Sequence, residues 1–177
     1  MNGNCHFVFG AALGSAFAMN TDKLEKILPN LTDSPETATL FVLGGLIGGI
    51  FPDIDNPVSH IGKLTVPLST VIGKFGEMSG KTGPKHRGVL HEPIVYISGL
   101  ILSYIFCPSL VGLFLGCISH LYLDMFTPAG IPFFSKRRLR LAKIKSGSQQ
   151  SINFTWLNVI IVVMLGIMIS ISSSYNS

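Results

Sequence analysis

The sequence predicts an all-α integral membrane protein: a bundle of about five helices, several of them short and Gly-rich, with a metal site at one membrane face. Three observations carry that expectation. Only 12% of the 177 residues are charged, about half the roughly 25% of an ordinary soluble domain. Hydrophobic residues make up 47% of the chain and the mean hydropathy is +0.51, which excludes a disordered or solvated tail, since such segments are polar and highly charged. The apolar residues fall in runs without strand-like alternation, so helices rather than barrel strands satisfy the backbone in lipid.

The first two apolar segments, residues 7–19 and 38–51, are short for a bilayer and carry Gly10, Gly14, Gly44, Gly45, Gly48 and Gly49. Small residues at this spacing predict helices that pack with their backbones close together. Ala16-Phe17-Ala18 has the look of a signal-peptide cleavage site, but no Lys or Arg precedes the apolar stretch, so residues 7–19 are read as a helix of the bundle. Residues 93–123 lack Asp, Glu, Lys and Arg and are interrupted by Pro108. Proline removes a backbone donor and disfavours helix in the residue before it, which predicts a helical hairpin turning at Cys107-Pro108-Ser109. The last segment, 154–171, is dense in Ile, Val, Leu and Met, begins near Trp156 and lies in a stretch, 146–177, without a charge. That composition predicts a transmembrane helix followed by a Ser-rich tail. Residues 1–150 are read as one membrane-associated domain and 151–177 as its C-terminal span.

Cys5, Cys107 and Cys117 form no C-x-x-C pair, so neither a disulfide framework nor a thiolate zinc ribbon is expected. The net charge of +4 is local in origin: six of the thirteen basic residues lie between Lys136 and Lys145. The loop 20–37 has a net charge of minus two, from four acidic and two basic residues, whereas 52–90 carries five basic residues. The positive-inside rule places the two basic loops in the cytoplasm and threads five helices with the N-terminus inside. With that threading the polar residues at the ends of the apolar segments share the cytoplasmic face.

Those polar residues carry the chemistry. Ionisable groups at membrane depth are expensive and mark functional sites by default. His120 and Asp124 are four apart on a helix and share a face, so they can ligate one ion, or form a satisfied polar pair at a helix end. Asp53-Ile54-Asp55 is bracketed by Pro52 and Pro57. An extended backbone there would turn both carboxylates to one side, where two like charges call for a cation between them, while an Asx-type cap needs only one of them. His86 and His91 reach one site if Gly88 begins the helix and His86 stays in the loop. Arg87 between them offers a planar fork for a phosphate, or is an ordinary juxtamembrane charge. His6 is a further ligand or a packed histidine, and His60 is read as a capping residue. Carboxylates and imidazoles without thiolates suit Zn²⁺, with Mn²⁺ or Fe as alternatives, and the candidates outnumber the four ligands of a closed structural site. An open centre of one to three ions fits better. The basic run 136–145 is either a membrane anchor or a holder of anionic headgroups; nucleic acid is disfavoured, because no aromatic interleaving accompanies it.

Taken together, His6, Gly49-Ile50-Phe51-Pro52-Asp53-Ile54-Asp55, His86-Arg87-Gly88-Val89-Leu90-His91, Gly116-Cys117-Ile118-Ser119-His120-Leu121-Tyr122-Leu123-Asp124 and Thr127-Pro128-Ala129-Gly130 resemble, in order, the motifs of the YdjM-like family of inner-membrane metal-dependent hydrolases. One member is LexA-regulated and LexA-binding, so the resemblance also implies a LexA-like protein partner. The His-x-x-x-Asp element at His120 and Asp124 is similar, more remotely, to one in zinc-dependent phospholipases C. Where an acidic residue is expected after Ser146-Gly147-Ser148, this chain has Gln149 and Gln150.

The expectation is thus a membrane-bound metal-dependent hydrolase of the inner membrane, with His6, Asp53, His86, His91, His120 and Asp124 as ligands, Asp55 as a further ligand or general base, and Arg87 holding phosphate. A phospholipid or prenyl phosphate is the expected substrate. The alternative is a non-enzymatic membrane regulator with a structural metal site and a basic partner-binding loop. An ion or proton transporter ranks below both, because the polar residues cluster at helix ends rather than mid-membrane.

Overall fold

The structure, a computed structural model, describes residues 1–55, 59–65, 89–133 and 137–174. Among them are seven α-helices: α1 (Gly3–Ala18), α2 (Thr21–Ile27), α3 (Pro35–Gly48), α4 (His60–Leu64), α5 (Pro93–Phe106), α6 (Val111–Met125) and α7 (Gln149–Ser174). The all-α expectation holds apart from a two-stranded hairpin, β1 (Ile131–Phe133) and β2 (Arg137–Leu139), paired antiparallel with Ile131 opposite Leu139. It forms inside the stretch read as an irregular basic loop, where Pro132 and the run of charges hide the alternation. Gly130, at φ +61°, supplies the left-handed residue that turns the chain into β1.

Among the described residues three segments are long and apolar enough to cross a membrane: Pro35–Ile54, Pro108–Met125 and Gln149–Ser172. At 1.5 Å per residue, α5 with 14 residues and α1 with 16 rise only about 21 and 24 Å, against a hydrocarbon core of about 30 Å. Length thus supports three crossings where the sequence led to an expectation of five.

Helix α1 lies against α3, α6 and α7, and α6 lies against α1, α3 and α5. Glycine sets the spacing between α3 and α6. A Cβ on Gly116 would stand 2.5 Å from the Gly45 carbonyl oxygen and 2.9 Å from the Gly48 Cα, both backbone atoms that cannot yield. The predicted hairpin is present: α5 ends at Phe106, and a short 3-10 turn, Pro108–Leu110, leads into α6. Two apolar clusters flank the functional end of the bundle: Cys5, Phe9 and Leu123 on one side, and Tyr96, Cys117, Leu121 and Ile131 on the other. Leu31, Phe41 and Val111 form a third cluster.

Polar ties fix the helix ends. Asn20 donates to the carbonyls of Ala16 and Gly166, joining the end of α1 to α7, and Tyr122 donates to Asn158 across α6 and α7. Ser34 caps α3, its hydroxyl accepting from the Thr37 amide at 3.1 Å, with Pro35 in the first turn. Ser34→Ala is expected to lower stability by about 1 kcal/mol, read as a lower midpoint in detergent unfolding with the metal content unchanged.

Candidate metal centre

Four elements bring five donors to the same end of the bundle. His6 lies in the first turns of α1. Asp53 sits in a 3-10 turn, Phe51–Asp55, that continues α3. His91 closes a second 3-10 turn, Val89–His91, just before α5, and Tyr96 pins that turn by donating to the Leu90 carbonyl at 2.6 Å. His120 and Asp124 occupy successive turns near the end of α6. The hydroxyl of Ser59, which caps α4, donates to the Asp53 carbonyl at 2.7 Å and holds the Asp53 turn against that helix.

The 3-10 geometry corrects the extended conformation expected for Asp53-Ile54-Asp55. Pro52, with φ fixed near −65°, suits a 3-10 turn as well as an extended strand. In this turn the Asp53 carboxylate reaches His91 and His120, while Ile54 is buried. The side chain of Asp55, and the whole of His86 and Arg87, lie outside what the structure describes.

His120 is the hub. Its Nδ1 lies 2.8 Å from the carbonyl oxygen of Gly49. A carbonyl can only accept, so Nδ1 carries the proton and donates, and in the neutral ring Nε2 presents a lone pair. That Nε2 is buried with no hydrogen-bond partner. It faces Asp53 Oδ1 at 3.7 Å and Asp124 Oδ2 at 3.6 Å, while His91 Nε2 is 3.8 Å from each of the same two oxygens. These separations are too long for hydrogen bonds. They lie within a few tenths of an ångström of the roughly 3.3–3.6 Å between neighbouring ligands on a tetrahedral ion with bonds of 2.0–2.2 Å.

A second grouping adjoins the first. The His6 ring stacks on His120 at 3.7 Å, and its Nε2 is 3.3 Å from Asp124 Oδ1. The α-ammonium of Met1 stands 2.5 Å from that oxygen and 2.9 Å from His6 Nε2. The two oxygens of Asp124 therefore serve different neighbours, Oδ1 facing His6 and Oδ2 facing His91 and His120. His6, His120 and Asp124, and separately Asp53, His91 and His120, bring ligand atoms within 4.8 Å of one another.

The residues fit a divalent cation. An imidazole nitrogen buried without a partner costs about 1–3 kcal/mol, and His120 Nε2 sits among carboxylate oxygens that would complete a coordination shell. The donor set is imidazole and carboxylate, with no cysteine in either group, which suits a divalent metal ion. Two contributors escaped the sequence reading: the Gly49 carbonyl, which left only a Gly-rich stretch as its trace, and the capping hydroxyl of Ser59, which left none.

A family model described as "YdjM inner membrane protein" matches residues 1–175. Two curated proteins, the inner membrane protein YdjM of Escherichia coli (strain K12) and that of Shigella flexneri, are each 33% identical over 100 residues. The alignment covers 51% of this chain and 46% of each relative, so it spans about half of either length. No solved structure matches the chain.

Proposed function

The chain belongs to the YdjM family of inner membrane proteins, and from that membership and the buried His/Asp cluster we propose that it is a membrane-bound metal-dependent hydrolase acting on the phosphoester of a lipid or other membrane-proximal substrate. The observation that carries this reading is the set of four donor atoms, from Asp53, His91, His120 and Asp124, with histidine-to-carboxylate separations of 3.6–3.8 Å around the unpaired His120 Nε2. Asp124 Oδ1 with His6 offers a second cation position beside it.

A divalent ion held by these groups would polarise a phosphoryl oxygen and acidify a water at neutral pH. The residues themselves supply orientation and charge. Gly49 locks the His120 tautomer, Asp124 spreads its charge over both positions, and Asp53, 22% exposed where the other four are nearly sealed, marks the side from which substrate reaches the centre. On sequence grounds His86 adds a ligand, Asp55 takes a proton from the attacking water, and Arg87 holds a phosphoryl oxygen.

The basic hairpin supports an anionic lipid. After β2 the chain returns to the end of α6, where the amides of Leu141 and Ile144 donate to the carbonyls of Met125 and Phe126 at 2.8 Å. Arg140, Lys143 and Lys145 are thereby held beside the end of α6, and a basic residue near the membrane surface is worth about 1 kcal/mol towards anionic headgroups. The same charges favour the cytoplasmic side for this end of the bundle.

Detergent-purified protein should contain stoichiometric Zn²⁺, Mn²⁺ or Fe and release phosphate or headgroup from a panel of phospholipids and prenyl phosphates. Chelation is expected to reduce turnover more than about 100-fold, the order lost when metal sites are disturbed, with recovery on adding the ion back. Absence of metal would sink the reading. Stoichiometric metal without turnover on any member of the panel would favour the non-enzymatic regulator, with the basic hairpin as a docking site for a cytoplasmic protein.

A further inference from the structure

Asp53 opens on a groove of about 290 Å³ whose walls include Asn4 and Phe7 of α1, Ile50 and Asp53 after α3, and Ile61 and Leu64 of α4. The carboxylate lies at one place in this wall; the remaining side chains are mostly hydrocarbon. The Ser59 hydroxyl, also in the wall, is already engaged with the Asp53 carbonyl and the Gly62 amide. A peptide or sugar in the groove would therefore meet few groups able to satisfy its polar atoms, whereas an alkyl chain needs none.

The groove shares Ile50 and Asp53 with a membrane-length segment, Pro35–Ile54. Leu43, Ile47 and Ile50 recur at steps of four and three along Pro35–Ile54, and Leu43 and Ile47 are half exposed. That stripe leads from the middle of the segment to the groove wall. Phe7 and Leu64 bring further exposed apolar surface. At about 30 Å³ per water-sized atom the volume holds roughly ten non-hydrogen atoms, enough for the first part of one chain with the remainder lying along the stripe.

We propose that this groove receives the headgroup-proximal end of one hydrocarbon chain of a membrane lipid, setting the lipid's phosphoester beside Asp53. The placement of the phosphoester rests on the hydrolase reading above; the placement of the chain does not. Specificity would then reside in the chain as well as in the phosphate, because a soluble phosphoester lacks the part that fills the groove.

The test uses the full chain in lipid nanodiscs containing phosphatidic acid with a diazirine near the start of one acyl chain, photolysed and mapped by mass spectrometry. Label is expected on residues 3–7 and 59–65. Ile61→Trp, which fills the groove, should lower it about tenfold while label on α7 stays at the level of the unsubstituted protein. Loss of the α7 label as well would show that this variant does not fold. Leu64→Asp, at an exposed position, then decides, with the same loss of groove label expected. Label confined to α3 and α7, or groove label unchanged in both variants, overturns the proposal. Groove label in a protein that hydrolyses nothing leaves the chain site standing and removes the hydrolase; hydrolysis of soluble phosphoesters without groove label does the reverse.

Discussion

His120→Ala is expected to empty the centre, weakening metal binding by more than about 100-fold and abolishing any metal-dependent turnover. Loss of a group that merely orients a ligand costs about 10–100-fold, and His120 is a ligand candidate common to both groupings. His6→Ala should behave differently. Of the carboxylate oxygens around it His6 Nε2 is set against Asp124 Oδ1, on the far side from His91, so its removal takes away the second position and leaves Asp53, His91, His120 and Asp124 Oδ2 in place. Elemental analysis of the purified variants, with a competing chelator to rank affinities, separates the two. Equal metal content in His120→Ala and the unsubstituted protein would show that the buried histidines are packing residues. Unfolding measured without metal gives a further check, since removing His120 also removes a buried nitrogen that lacks a partner, which offsets part of the cavity it leaves.

Gly116→Val is expected to cost about 3 kcal/mol or more, at the upper end for overpacking, because the added carbons meet the backbone of Gly44, Gly45 and Gly48 rather than movable side chains. For a chain of this size that lowers Tm by roughly 6–12 °C. The same displacement reaches the centre. Gly116 lies one turn before His120, and moving α6 off α3 separates His120 Nδ1 from the Gly49 carbonyl that sets its tautomer. Metal affinity should therefore fall together with Tm. Gly3→Ala, which meets nothing within 4 Å, should leave Tm unchanged or raise it slightly. A Gly116→Val protein that melts like the unsubstituted chain would mean that the two helices are not held at backbone contact.

Much of the helical framework was legible because its signals are local. Pro108 marks the turn between α5 and α6, the Gly-rich segment 38–51 falls largely in α3, and the uncharged stretch near the C-terminus becomes α7. Other elements were not legible for equally local reasons. Helix α2 spans seven residues, four of them charged, too few and too polar for an apolar period to show. The hairpin strands have three residues each, one interrupted by Pro132. The Asp53 turn was misjudged because proline is compatible with both extended and 3-10 backbone. At the site, His6, Asp53, His91, His120 and Asp124 all stood out as polar residues against apolar runs, and the structure gathers these five.

The sequence by itself determined the membrane class, the main helices and the shortlist of donors, because hydropathy, proline breaks and isolated charges are properties of short stretches. Only the tertiary structure decided which donors come together: that Asp124 divides its two oxygens between His6 and the His91–His120 pair, that Asp53 enters from a 3-10 turn, and that Gly49 orients His120 from 71 residues away. These depend on how far each helix is rotated and how closely its backbone approaches the next, quantities fixed by glycine contacts between segments distant in the chain and invisible within any one of them.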